Sequence, residues 1–256
     1  MSIQRYVIEL AYRGTAYSGW QRQPNAVSVE ATIDDALSKM LGEPVKIVGC
    51  GRTDAGVHAS DYVAHFDFAG TLPPRLVGRL NRFLPDDIAL RRICPVSSDL
   101  HARFSATGRE YAYRISLRKD PFRIDTAAWL PALGDLDQDR MRQAAALIMG
   151  YTEFATFCKS NSDAYTMRCS LTRSEWAFGS DAWVYHIAAN RFLRGMVRLI
   201  VGMCLQVGEG KLSLDAVRSA LDEQVRLPRP LSAPASGLFL TAIHYPERTT
   251  WNGGTY

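Results

Sequence analysis

Residues 49–59 read Gly-Cys-Gly-Arg-Thr-Asp-Ala-Gly-Val-His-Ala, a stretch in which one carboxylate and one guanidinium sit among three glycines. Glycine permits sharp turns and close approach of another chain, so such a loop can hold Arg52 and Asp54 in a cleft while its flanks stay fixed. An ionised carboxylate presented this way is a nucleophile or an electrostatic partner. Turn chemistry offers a plainer account, in which Asp54 hydrogen-bonds its own backbone. The choice depends on what else the chain supplies.

Other segments carry polar and aromatic groups in unusual density. They are Gly19-Trp-Gln-Arg-Gln23, His101-Ala-Arg-Phe-Ser-Ala-Thr-Gly-Arg-Glu-Tyr111, Phe192-Leu-Arg-Gly-Met-Val-Arg198 and Pro234-Ala-Ser-Gly-Leu-Phe-Leu240. Arg198 lies among apolar neighbours (Met196, Val197, Leu199, Ile200, Val201), where a guanidinium needs a partner. The plain account makes Arg198 an exposed cation on an amphipathic helix, Tyr111 a core residue, and Leu238 and Phe239 a core strand.

The elements that must position these groups follow from periodicity. Tyr6, Ile8, Leu10 and Tyr12 alternate as a first strand. After the loop Arg13–Val27, Ser28 caps a helix carrying Val29, Ile33, Leu37 and Met40. Strands are expected at Val45–Val48, Tyr62–Phe68 and Ile88–Arg92. A helix after Pro73-Pro74 places Leu76, Val77, Leu80 and Phe83 on one face. The order β-α-β-β-α-β is that of a ferredoxin-like unit. The second half follows a similar plan, with strands at Arg109–Ser116, Met167–Phe178, Trp183–Asn190 and Leu238–Tyr245. Its helices are expected at Asp137–Met149, Met196–Val207 and Leu214–Leu221. The expected fold class is α+β, two ferredoxin-like halves sharing a continuous, mainly antiparallel sheet with a central active-site cleft. The expected divisions are 1–100, 101–248 and a poorly ordered tail, 249–256.

Bulk properties narrow the classes. The 256 residues are 47% hydrophobic and 22% charged, as in an ordinary soluble protein. The N-terminus has no apolar core of a secretory signal, and the run Leu199–Leu205 is far too short to span a bilayer. The five cysteines include no Cys-x-x-Cys pair, and the five histidines show no zinc spacing. A reduced, cytoplasmic protein with no metal, no cofactor and no membrane partner is expected. Net charge is only +4, yet the basic residues are nearly all arginine, whose planar fork suits phosphate and bases. That permits an RNA partner without requiring one.

Taken together, the five segments resemble the tRNA pseudouridine synthase A family from about Tyr6 to Tyr245, with Gly51-Arg-Thr-Asp-Ala-Gly-Val-His58 the most specific piece. The resemblance implies that Asp54 is the catalytic nucleophile and that Arg198 is its cationic partner. It implies that Tyr111 packs on the target base and is a candidate to move the C5 proton. Arg52 is implied to help extrude the uridine, which geometry demands because a stacked base is out of reach. Leu238 and Phe239 would form the floor beneath the base. Arg22, Arg103 and Arg109, with Arg191 and Arg194, are candidates for phosphate contact. His58, Trp20 and Gln21 read as scaffold. The substrate implied is the anticodon stem-loop of tRNA at positions 38, 39 and 40, bound by a homodimer. The chain departs from the family pattern at Arg13, where Asp is common, at Glu30, where Gln is frequent, and at Gly195 and Leu199. Two rivals stand beside this reading: an RNA-binding protein of the same fold without catalysis, and a carboxylate-nucleophile enzyme on a free nucleoside. The second would be expected to carry paired carboxylates, and the glycine loop offers only Asp54.

Overall fold

The computed structural model describes residues 3–131, 136–160, 165–246, 248 and 251. By contact they form two units, Met1–Thr107 with Leu240–Tyr256, and Gly108–Phe239. The fold class is α+β.

In unit one, strand β1 (Gln4–Tyr12) lies between two antiparallel neighbours, β3 (His58–Phe68) and β4 (Ile88–Val96). Its alternation pays off in cross-strand pairs: Tyr6 sits opposite Phe66 with ring centroids 5.4 Å apart. Helix α1 (Val29–Leu41) begins where expected, because Ser28 Oγ accepts the Ala31 N–H at 3.2 Å. It ends on Gly42 in the left-handed region. Its stripe Val29, Ile33 and Leu37 is fully buried.

Helix α2 (Leu76–Phe83) buries Leu76, Val77 and Leu80, but Phe83 is 48% exposed. The expected inward position of Phe83 is therefore corrected: it closes the last turn, and Lys39 of α1 covers its ring at 5.2 Å. The expected strand Val45–Val48 is also corrected. Only β2 (Val48–Gly49) pairs, with β3. Upstream of it, side chains of α1 take the backbone groups that a strand partner would otherwise satisfy. Val45 N–H donates to Ser38 Oγ at 2.9 Å, and Ile47 N–H to Asp34 Oδ1 at 2.9 Å.

Strand β9 (Leu238–His244) neighbours β3. The segment after it is tied to unit one by Arg248, whose guanidinium bonds Glu9 on β1 and Asp61 on β3. The expected tail, 249–256, lies outside the described residues except Trp251, which is buried against Tyr245.

In unit two, β8 (Ala182–Ala189) lies between β5 (Gly108–Ser116) and β7 (Leu171–Phe178), antiparallel to both. Strand β7 starts later than expected, since Met167 is occupied bonding Phe154 N–H through its carbonyl. A two-residue strand absent from the periodicity reading, β6 (Ala128–Trp129), runs parallel to the end of β5. Helix α3 (Gln138–Leu147), capped by Asp137, buries Met141, Ala144 and Ala145. Helix α4 (Met196–Gly208) is apolar nearly all round and correspondingly buried, and α5 (Leu214–Asp222) is capped by Ser213.

Candidate active site

The Asp54 loop leaves β2 and enters β3, and its underside is an aromatic stack. Trp20 lies on Tyr62 at 3.9 Å between ring centroids, and Tyr12 meets Tyr62 edge-on at 5.5 Å. The Tyr62 hydroxyl donates to the carbonyl of Gly51, and Tyr12 shares a 2.9 Å hydrogen bond with Thr53. Burial, with Cys50 and Tyr12 close by, holds the Tyr62 phenol well above its ordinary range, so it is a fixed donor.

Two glycines of the loop are required for different reasons. A Cβ on Gly49 would overlap the Tyr62 hydroxyl and the Trp20 indole, so only glycine lets the aromatic stack close beneath it. Gly56 sits at φ 77°, in the left-handed region. Gly51, by contrast, has open space where a side chain would stand. Val57 N–H closes a turn onto the Asp54 carbonyl at 3.1 Å. That turn is made by the backbone of Asp54. Asp54 itself is half-buried, and Arg52 is exposed.

The loop Arg13–Val27 braces this turn from the side. Trp20 N–H donates to the Thr53 carbonyl at 3.3 Å and Gly56 N–H to the Tyr17 carbonyl at 3.3 Å. Arg52 Nε donates to Gln21 Oε1 at 3.3 Å. His58, fully buried, accepts the Gly14 N–H on Nδ1 at 3.1 Å, so that nitrogen is an acceptor in the scaffold. Arg22 faces Asp34 and Asp35 at 3.3 and 3.4 Å, so any phosphate contact there competes with two carboxylates.

In unit two, Tyr111 is half-buried on β5 and meets Phe192 edge-on at 5.1 Å. Arg198, in the first turn of α4, is also half-buried and donates from Nε to the Ala233 carbonyl at 2.6 Å. Ala233 N–H returns a bond to the Arg198 carbonyl at 3.0 Å. Tyr113 donates to the Pro234 carbonyl at 2.9 Å. The segment 233–234 is therefore held from α4 and from β5. Burial raises the Tyr113 phenol, with Arg198 opposing that shift. Leu238 and Phe239 are buried, and the Arg114 guanidinium lies over the Phe239 ring at 4.1 Å. Arg109 donates to the Asn190 carbonyl at 2.9 Å. Arg103 is exposed and lies over Phe104, which is itself 75% exposed.

Asp54 and Arg52 thus belong to unit one, with Arg22 and Arg103; Tyr111, Arg109, Arg198, Leu238 and Phe239 belong to unit two. Three contributors escaped the sequence reading. Phe192 as the neighbour of Tyr111 and Ala233 as the anchor of Arg198 have no local signal, because each partner is remote in sequence. Glu30, bonded to Gln21 and Arg22, was visible only as a departure from the family pattern. Among the described residues, no group of three His, Cys, Asp or Glu side chains is placed to hold a metal ion. No helix there is long and apolar enough to cross a membrane.

Comparison with known proteins places the chain in a class. The sequence profile of the tRNA pseudouridine synthase family matches residues 144–246. A tRNA pseudouridine synthase A of Porphyromonas gingivalis is 45% identical over 248 residues, spanning 95% of this chain and 98% of the relative. The protein of that name from Bacteroides fragilis is 44% identical, over 96% and 98% respectively. That from Syntrophotalea carbinolica is 40% identical over 99% of this chain and the whole of its own. The chain belongs to the tRNA pseudouridine synthase A family.

Proposed function

We propose that the protein isomerises uridine to pseudouridine in the anticodon stem-loop of tRNA, at positions 38, 39 and 40, with Asp54 as nucleophile. Family membership supports the enzyme class and the tRNA substrate directly. One observation carries the assignment of Asp54. It is a half-buried carboxylate on a turn braced by Trp20, Tyr62 and Tyr12, on a loop where Gly49 admits no other side chain. Such bracing holds a reacting group at fixed geometry, which is where positioned catalysis gains most.

The reaction breaks the C1′–N1 bond, turns the uracil and forms C1′–C5. The C5 proton departs and N1 gains one, so atoms balance with no redox change. A carboxylate serves by adding to C6 of the base, or by acting at the ribose through C1′ attack or glycal formation. Tyr111 is assigned to packing on the base and to the C5 proton, and Arg198 to favouring the ionised carboxylate. Leu238 and Phe239 form the floor, Arg52 displaces the target base, and Arg22, Arg103 and Arg109 contact backbone phosphates. The strand order β4-β1-β3, with β2 on the far side of β3, supports a ferredoxin-like reading of unit one. A cytoplasmic homodimer is part of the proposal, checked by sedimentation.

The test is Asp54→Asn, compared with the parent by pseudouridine mapping on a tRNA transcript and by tRNA affinity. Loss of product by about a thousandfold or more, with affinity kept within a few-fold, is expected. Equal yields would remove Asp54 from the chemistry. Turnover of uridine monophosphate alone would replace the RNA substrate with a small molecule.

A further inference from the structure

Arg52 reaches out from a glycine loop on a long, exposed side chain, and an unbraced side chain of that kind samples many rotamers. Its Nε edge, however, meets Gln21 Oε1 at 3.3 Å. Gln21 in turn donates from Nε2 to Glu30 Oε2 at 2.9 Å. The same Glu30 oxygen accepts the backbone N–H of Arg22 at 2.7 Å, and the Trp20 side chain also donates to this carboxylate. Glu30 is buried in the first turn of α1, a helix whose axis position is fixed by the Ser28 cap and the Val29–Ile33–Leu37 stripe.

The chemistry of these groups dictates a direction. A carboxylate only accepts hydrogen bonds, whereas a primary amide has one donating and one accepting end. With Glu30 ionised and taking bonds from Arg22 and Gln21, the NH2 end of Gln21 must face Glu30. The carbonyl end must then face Arg52, the one orientation that a guanidinium N–H can use. Burial, helped by the neighbouring Asp34 charge, raises the Glu30 carboxyl above its ordinary value, against the Arg22 and Trp20 bonds that favour the ionised form.

We propose that Glu30 and Gln21 form a positioning relay that sets the Nε edge of Arg52 for displacement of the target base. The proposal rests on the reading of Arg52 as the base-displacing residue. Glu30 acts through Gln21, and Gln21 through Arg52; neither is assigned contact with the reacting atoms. The carboxylate matters because its oxygens only accept: the Arg22 N–H and Gln21 Nε2 both meet the same oxygen, Oε2, and without that acceptor Gln21 is free to turn.

A double-mutant cycle on single-turnover kinetics tests this, using a tRNA transcript whose target uridine is paired in the stem. Gln21→Met keeps the shape and removes both hydrogen bonds. We expect its single-turnover rate to fall about tenfold with tRNA affinity within twofold of the parent. In an Arg52→Met background, Gln21→Met should cost nothing further, because the group it positions is gone. Glu30→Met, which removes the acceptor, should behave likewise, slowing the parent but not Arg52→Met. It supplies the same cycle if Gln21→Met lowers the melting temperature by more than a few degrees. A substrate with its target uridine already mismatched should recover most of the rate in both single variants. Losses that multiply in the double variants, with Arg52→Met itself slow, would overturn the relay and leave the role of Arg52 standing. A parental rate in Arg52→Met would overturn the Arg52 reading, and the relay with it.

Discussion

Removing Arg248 tests whether the C-terminal segment is clamped to unit one by charge. Its guanidinium takes both oxygens of Asp61 at 2.6 Å each, Glu9 Oε1 at 2.9 Å and the Ile243 carbonyl at 2.7 Å. Both carboxylates lie in the sheet at 8% exposure. Breaking a buried pair by deleting one partner costs roughly 3–5 kcal/mol, since the remaining charge stays desolvated. Here the loss is reduced. Glu9 keeps the two-pronged bond from Arg92 at 2.6 and 2.9 Å, and Asp61 keeps the Ile243 N–H at 3.2 Å. We therefore expect Arg248→Met to cost about 2–3 kcal/mol near neutral pH, a large share of an ordinary stability of about 5–15 kcal/mol. Urea unfolding followed by tryptophan fluorescence measures it, read as the change in midpoint at constant slope.

The pH dependence of the same difference has a definite sign. Glu9 is held below its ordinary value by Arg92 and Arg248, which outweigh the opposing effect of burial. A carboxylate depressed in the folded state contributes stability above its unfolded pKa and loses it as pH falls through the folded pKa. The gap between parent and variant should therefore narrow in acid. A loss under about 1 kcal/mol at neutral pH, or a gap that widens on acidification, would refute the clamp.

Other outcomes follow from the geometry. Gly49→Ala should cut folded yield and activity together, because its methyl meets Tyr62 and Trp20; a parental melting temperature would contradict the packing. Tyr113→Phe should cost about 1–2 kcal/mol by thermal unfolding, since the Pro234 carbonyl loses its donor. His65 is pushed down to about 4, chiefly by burial and then by Arg5, while its Nδ1 accepts the Ala102 N–H. It folds neutral, so its contribution is full above the unfolded pKa near 6.5 and is lost as pH falls toward 4, by about 3 kcal/mol in all. A His65→Gln variant whose acid stability profile matches the parent would count against this. Arg103→Ala should weaken tRNA binding uniformly and lower the salt dependence by about one phosphate contact, measured by filter binding from low to moderate salt.

How far the site was legible before folding depended on the range of the interaction that makes each part. The α1 start could be read because Ser28 caps its own neighbour Ala31, and the β1 alternation because a pleated strand sorts side chains by parity. Val45–Val48 has a strand-like composition, yet only Val48 of it pairs, in β2. Its backbone is instead served by Ser38 and Asp34, which no local pattern reveals. Phe83 fitted the helical stripe, yet the helix ended there and left it under Lys39.

The sequence by itself determined the chemistry on offer: an aspartate and an arginine in a glycine loop, a tyrosine on an alternating strand, and an arginine at the head of an apolar helix. Their types and order are covalent facts, and the family likeness rests on them. Only the tertiary structure decided which glycine is sterically compelled, Gly49 rather than Gly51. It also decided that the Asp54 turn rests on Trp20 and Tyr62, and that Arg52 is braced through Gln21 by a glutamate on α1. Those choices depend on atoms brought within a few ångströms from distant parts of the chain. Hydrogen bonding and steric overlap act only at that distance, so folding had to bring the partners together first.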